Sequence, residues 1–262
     1  MSFKFAANVS MLFQEVSFLE RFRKAAEVGF PAVEFLFPYE YDIDVIACNV
    51  QELGLEVALF NLHPGDTDLG EWGTLSNPKR RDFFQWSFGQ ALEIADRLEC
   101  ERLNMMFGHT MDGLNSIEQI ECAVKNLQWA APRAAQANVM LLIEPLNEFD
   151  FPDCFLTHTQ VALDIIQQVD HPNVGLQYDF YHAQMTEENL INTITLCIDK
   201  IGHIQIADVP GRHQPGTGEI RFQAIFSVLE RLQYGGYIGL EYLPSTTTEE
   251  SFDWLIGIRQ KD

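Results

Sequence analysis

Basic residues are scarce in this 262-residue sequence: 17 Lys and Arg stand against 38 Asp and Glu, a net charge of −21. Such a chain repels phosphate backbones and anionic lipid at long range, so no nucleic acid partner is expected. An anionic substrate would need a local cation to hold it. Cysteines with metal or redox spacing are also absent. The five present (48, 100, 122, 154 and 197) are odd in number and form no C-x-x-C, which indicates neither a disulfide framework nor a thiolate zinc site. No apolar run is long enough to span a bilayer, and the opening MSFKFAANVSM lacks the basic start and long apolar core of a secretory signal. A soluble cytoplasmic protein with reduced thiols and no membrane partner is expected. The first turn, Ser10-Met11-Leu12-Phe13, has no glycine fingerprint, and no G-x-x-x-x-G-K-[ST] occurs, so no nucleotide cofactor is indicated.

What is present is a repeating strand and helix pattern, clearest at Val139-Met140-Leu141-Leu142-Ile143-Glu144-Pro145. Five apolar residues run unbroken into a carboxylate, and Pro145 stops the ladder, as in a strand buried on both faces that ends in a charge. The other strands predicted are Phe3 to Val9, Ala32 to Phe37, Leu55 to Phe60, Arg102 to Phe107, Asn173 to Asp179, His203 to Ala207 and Tyr237 to Glu241. Between them lie helices with recognisable caps: Ser17 with Glu20, Asp42, Asn77 before Pro78, Ser116 with Gln119, Thr157 or Thr159, Thr186, and Thr247 with Glu250. Pro132 is expected to interrupt the fourth helix, and Gly202 to end the helix of Leu190, Ile194 and Cys197. Eight such units in one chain close most simply as a single-domain α/β fold over residues 1–262, a (β/α)8 TIM barrel. Barrels of this kind often pair, so a homo-oligomer is an open expectation. The long stretch Asn61 to Asn77, with three glycines and Trp72, is expected to be a lid or binding loop.

In such a barrel the strand ends converge on one mouth. Glu144, Asp179, Gln205 and Glu241 end four successive strands, each about one unit from the next. Three carboxylates and an amide oxygen would repel one another there unless a cation sat among them, and an oxygen-only set favours Mg²⁺ or Mn²⁺ over zinc. His182, three residues past Asp179, is expected beside such an ion as a donor to substrate. Arg212 and His213 are candidates for holding a substrate carboxylate, and Asn8 and Phe60 for lining the pocket.

Several segments resemble the hydroxypyruvate isomerase family, which includes the 2-oxo-tetronate isomerases and belongs with the xylose-isomerase-like barrels. They are Phe5-Ala6-Ala7-Asn8, Val33-Glu34-Phe35-Leu36-Phe37-Pro38, Pro64-Gly65-Asp66 through Gly70-Glu71-Trp72-Gly73, Glu144-Pro145-Leu146-Asn147, Asp179-Phe180-Tyr181-His182, His203-Ile204-Gln205-Ile206-Ala207, Gly211-Arg212-His213 before Gly218-Glu219, and Gly239-Leu240-Glu241-Tyr242. The resemblance spans nearly the whole chain. It implies a divalent metal held by Glu144, Asp179, Gln205 and Glu241, with Glu144 and Glu241 also moving protons. The reaction implied converts hydroxypyruvate to 2-hydroxy-3-oxopropanoate through an enediolate, with 2-oxo-tetronate as the alternative substrate.

His63 and His109 depart from that family's pattern. Histidines at those strand ends resemble endonuclease IV, which gives a more distant expectation of a multi-metal phosphodiesterase using His63, His109, Glu144, Asp179, His182 and Glu241. The charge, Gln205 and the lack of an H-x-H pair after the seventh strand stand against it. A third expectation is a metal-binding barrel that recognises a sugar acid without converting it.

Overall fold

The fold comes from a computed structural model, which describes residues 3–186 and 189–255. Eight parallel strands close into a barrel in chain order: β1 (Lys4–Asn8), β2 (Ala32–Phe35), β3 (Glu56–Asn61), β4 (Arg102–Asn104), β5 (Met140–Ile143), β6 (Val174–Asp179), β7 (Ile201–Ile206) and β8 (Tyr237–Leu240), the last pairing with the first. Alternation along each strand sorts the residues. On β1, Phe5 and Ala7 join the core between barrel and helices, whereas Ala6 packs inside with Ala32, Ala58 and Tyr237. Asn8, one turn of the pleat further, faces the inner polar layer of Glu34 and Glu241. Small apolar groups thus plug the base of the barrel, and hydrogen-bonding groups occupy the upper part.

The described helices are α1 (Phe18–Val28), α2 (Ile43–Leu53), α3 (Arg81–Leu98), α4 (Ser116–Gln136), α5 (Thr159–Val169), α6 (Phe180–Thr186), α7 (Leu190–Cys197) and α8 (Phe222–Arg231). None is long and apolar enough to cross a membrane. The expected box at Ser17 and Glu20 opens α1, and Gly29 closes it with φ 89°, a left-handed conformation that spares glycine the Cβ clash.

Several boundaries differ from the sequence pattern. The α4 box is Asn115 with Glu118, because Gln119 turns inward to bond the Met111 N–H and the His109 carbonyl. Pro132 lies inside α4 without ending it: buried Ala130, Ala131 and Ala134 dock this turn on the core and outweigh one missing hydrogen bond. Thr186 does not cap the next helix. It ends α6, an extra helix that starts directly after β6, and Asn189 caps α7 instead. Gly202 lies within β7, against Leu142 and Met140, where a Cβ would collide. Strands β2 and β4 stop at Phe35 and Asn104, short of Phe37 and Phe107, since the chain leaves the ladder to line the mouth. The closing helix begins with a short turn at Glu250–Phe252, and its later part lies outside the described residues.

Candidate active site

Four side chains meet at the carboxyl ends of the strands. One ligand atom each from Glu144, Asp179, His182 and Glu241 lies within 4.8 Å of the others. Glu144 follows β5, Asp179 ends β6, His182 rides on α6 and Glu241 follows β8. The missed helix α6 therefore matters: it turns the chain at Asp179 so sharply that His182 returns to the same point.

Each group has a determinate setting. Glu144 accepts from the Asn104 amide at 2.8 Å, while its Oε1 is buried without a hydrogen-bond partner among the described residues. Asp179 Oδ1 accepts from the Tyr181 N–H at 2.8 Å, and its Oδ2 likewise has no hydrogen bond. Glu241 accepts from Arg212 Nη2 at 2.6 Å and from the Asn8 amide at 3.3 Å. Burial, then the charges of Glu241 and Asp179, raise the Glu144 carboxyl well above its ordinary range. Burial pushes Glu241 up to about 8 and Asp179 up to about 6, in both cases against the pull of Arg212. Three carboxyls are thus gathered where water cannot disperse their charge.

His182 is neutral: burial and then Arg212 push its pKa well below the ordinary value. Its Nδ1 lies 2.7 Å from the Asn147 amide nitrogen and 3.3 Å from the Asn147 N–H. That amide is oriented by its own carbonyl, which accepts from the N–H groups of Phe149 and Asp150. Nδ1 therefore accepts, and the proton sits on Nε2, 3.6 Å from Asp179 Oδ2. A neutral histidine so held presents a donor to the mouth.

Arg212 lies in the loop after β7, over the Tyr181 ring at 5.0 Å, and reaches Asp179 Oδ2 at 3.7 Å. Burial works against its charge, but Glu241, Asp179 and Glu144 outweigh this and keep its pKa above the ordinary value. The loop is built around buried Asp208, whose two oxygens accept from the N–H groups of Val209, Gly216, Gly218 and Ile220 at 2.9–3.0 Å. Asp208→Ala strands these amides. Hydrogen exchange at Gly216 and Gly218 is expected to rise by about two orders of magnitude, from a local loss of about 3 kcal/mol. Unchanged exchange would show that the loop holds its shape without Asp208.

Below the cluster lies a second polar layer. Gln205 donates to Glu34 Oε1 at 2.8 Å and accepts from Gln177 at 2.5 Å. Glu34 also accepts from Asn8 at 3.0 Å and from His203 Nε2 at 2.6 Å, all fully or almost fully buried. Glu34 is acceptor-only, so it directs the Gln205 amide nitrogen to itself and leaves the carbonyl oxygen to accept from Gln177. Sequence reasoning passed over Glu34, His203, Asn104 and Asn147 as site residues. The available signal was a carboxylate inside the apolar strand Ala32–Phe35 and a histidine two residues before Gln205, on the same face.

The remaining candidates divide. Asn8 joins Glu34 to Glu241. His213 turns away, with Nδ1 donating to the Leu243 carbonyl at 2.7 Å. Phe60 is stacked with Phe35 in the core outside the barrel, not in the mouth, because a register shift in β2–β3 reverses its face. His63 packs between Tyr39 and Phe83, its Nδ1 accepting from the Gly65 N–H, outside the carboxylate cluster. His109 also stands outside the four-residue cluster and lines a small cavity next to Glu144. Trp72, from the expected lid, stacks on Phe151, whose ring meets His182 edge-on.

The profile of the xylose isomerase-like TIM barrel family matches residues 22–258. The chain belongs to that family. It is 45% identical over 253 residues to the hydroxypyruvate isomerase of Escherichia coli (strain K12), covering 96% of this chain and 98% of the relative. It is 41% identical to the 2-oxo-tetronate isomerase of Pectobacterium atrosepticum, over 96% of both chains. Among solved structures, one described as an AP endonuclease of family 2 from Brucella melitensis superposes with a TM-score of 0.95 at 41% identity, covering 98% of this chain and 99% of that one.

Proposed function

We propose that this protein is a metal-dependent isomerase of short oxo acids, interconverting hydroxypyruvate and 2-hydroxy-3-oxopropanoate. The observation that carries the reading is the pair Glu144 and Glu241: two buried carboxyls of raised pKa, from strands apart in the barrel, with ligand atoms within 4.8 Å of one another. Isomerases of hydroxypyruvate and of 2-oxo-tetronate among its relatives support the same chemistry.

The donor set fits a hard divalent cation. Glu144 Oε1 and Asp179 Oδ2 are buried carboxylate oxygens without hydrogen bonds, and Gln205, in the polar layer below them, has a neutral oxygen that now accepts from Gln177 and would turn to such an ion. Mg²⁺ or Mn²⁺ held by Glu144, Asp179, Gln205 and Glu241 would neutralise the negative charge that develops on the two substrate oxygens. His182 is set apart from this ligand set by its tautomer, since Nε2 carries its proton toward the mouth.

In the forward direction one carboxylate of the pair removes a proton from C3 of hydroxypyruvate. The C–H electron pair becomes the C2–C3 double bond, and the C2 carbonyl oxygen takes the charge as an enediolate. The O3 proton passes to O2, the charge on O3 closes the C3 carbonyl, and the C2–C3 double-bond pair takes the proton at C2 from a carboxyl of the pair, which gives the aldehyde with a hydroxyl on C2. His182 Nε2–H donates to a substrate oxygen, and Arg212 holds the carboxylate by exchanging part of its bond to Glu241. The five unpaired cysteines support a reducing, cytoplasmic setting as part of this reading. The phosphodiesterase reading would need His63 and His109 beside the carboxylates, and neither belongs to the cluster.

The test is proton NMR in D₂O on metal-stripped protein, with Mg²⁺ or Mn²⁺ restored and each acid supplied in turn. Conversion that vanishes on stripping and returns with the ion is expected, with solvent deuterium or retained proton at the migrating position. Turnover independent of metal would remove the ion from the reaction, and no turnover of either acid would overturn the isomerase reading.

A further inference from the structure

Three aromatic side chains from three different loops pack in a row at the mouth. Phe37 follows β2, Trp72 belongs to the long segment after β3, and Phe151 to the segment after β5. The Trp72 ring meets Phe37 edge-on at 5.5 Å and stacks on Phe151 at 5.7 Å, and Phe151 meets His182 at 5.8 Å. All three are half-buried, so each keeps part of its surface in solvent. Trp72 also shares with Glu144 the lining of a cavity of about 20 Å³, room for one water-sized group. The indole thus borders the carboxylate cluster twice, at the cavity it shares with Glu144 and, one ring away, at His182. Of the side chains in that lining that are also open to solvent, it is the largest.

Length and glycines make the stretch Asn61 to Asn77 look like a lid, but its contacts hold it as a wall. The Gly73 N–H donates to the Pro64 carbonyl at 2.6 Å, and the N–H groups of Leu75 and Ser76 donate to the carbonyls of Met106 and Phe107 at 3.3 and 3.1 Å. Gly73 and Gly108 approach so closely that a Cβ on either would strike the other segment's backbone. Just before the indole, the Glu71 carboxylate accepts from the Asp66 N–H at 2.7 Å and from Arg80 Nη2 at 2.9 Å. Residues on both sides of Trp72 are tied down, and swinging the indole outward would break these contacts together.

What a fixed apolar wall does follows from the reaction. The proton taken from C3 rests on a carboxyl of the acid/base pair until C2 receives it. If solvent reaches that carboxyl, the proton leaves to water and one from the solvent replaces it, so the hydrogen delivered to C2 is no longer the substrate's. Water also screens the charges that hold the enediolate and weakens their grip. Shutting water out keeps both proton and charge in place.

We propose that Trp72 is the wall that keeps bulk water from the site on the Glu144 side, so that the proton removed from the substrate reaches the neighbouring carbon before it exchanges with solvent. The proposal rests on the isomerase reading. The area of the indole is what counts. Phenylalanine in its place keeps most of the cover, whereas alanine opens the cavity shared with Glu144 to solvent.

The experiment follows metal-loaded wild-type protein, Trp72→Phe and Trp72→Ala converting hydroxypyruvate in D₂O. Single-turnover NMR gives the share of substrate proton found at C2 of the product. Wild-type and Trp72→Phe are expected to retain a measurable share, and Trp72→Ala to lose it. An equal share in wild-type and Trp72→Ala, or none in wild-type, overturns the wall, and a lower kcat with an unchanged share makes Trp72 merely structural. A second reading needs no turnover: with Mn²⁺ bound and inert glycerate in the site, relaxation of water protons by the ion is expected to be faster in Trp72→Ala than in wild-type. Faster relaxation without conversion of any acid sustains the wall and overturns the isomerase reading; conversion with both readings unchanged does the reverse. Should Trp72→Ala fail to fold, Trp72→Leu is read in its place, and no change in it counts against the proposal.

Discussion

Glu241→Gln is expected to lower turnover by about three orders of magnitude while leaving the fold intact. The change keeps the side-chain volume and an oxygen for Arg212, now 2.6 Å away, but removes the group that takes and returns the carbon-bound proton. Its structural cost is small. Asn8 donates to the second oxygen at 3.3 Å, and a glutamine amide placed there sets donor against donor, worth about 1 kcal/mol. Offsetting this, burial pushes the wild-type carboxyl up to about 8, so without metal it already holds a proton at neutral pH, as the uncharged amide imitates.

The sign of a pH effect follows. The folded protein keeps protons on Glu241 and, up to about 6, on Asp179 at pH values where the unfolded chain has released them. Metal-free stability therefore falls as pH rises from the ordinary carboxylate range toward 8, and Glu241→Gln flattens that fall. Thermal melts across this range test it together with NMR turnover. Retained activity would take Glu241 out of proton transfer.

Glu34→Leu is expected to cost about 3–5 kcal/mol of stability, the largest loss of any single substitution considered. Three donors, from Asn8, Gln205 and His203, converge on this fully buried carboxylate, and none has water to turn to. The carboxylate also lies against Gly239, where a Cβ would strike it, so the site is shaped to this one side chain. Glu34→Gln should cost clearly less. Its oxygen can still serve Asn8 and Gln205, and the His203 ring can present a lone pair to the new amide. Denaturant unfolding of both variants decides the matter, and equal losses would show that shape rather than hydrogen bonding is what Glu34 supplies.

Much of this was legible because barrel strands buried on both faces write themselves as short apolar runs. Those runs located all eight strands, and the carboxylates at the ends of three of them meet at the mouth. Helix starts were legible where a cap had no rival, as at Ser17 and Asp42. At Ser116 and Thr186 a cap-forming residue stood beside a better one, Asn115 and Asn189, and local pattern could not rank them. Phe60 was misplaced for a related reason: period-two alternation tells which residues share a face only until a register shift, and one falls between β2 and β3.

The sequence by itself determined the architecture and the carboxylates Glu144, Asp179 and Glu241 at strand ends, because these depend on periodicity and residue type. Only the tertiary structure decided that His182 presents an Nε2 donor, that Arg212 rather than His213 enters the cluster, that Glu34 orients Gln205 from across the barrel, and that His109 borders a cavity. Each of these is a relation between atoms far apart in the chain. Hydrogen bonds are directional, and their directions are settled only when strands from opposite walls of the barrel have closed around them.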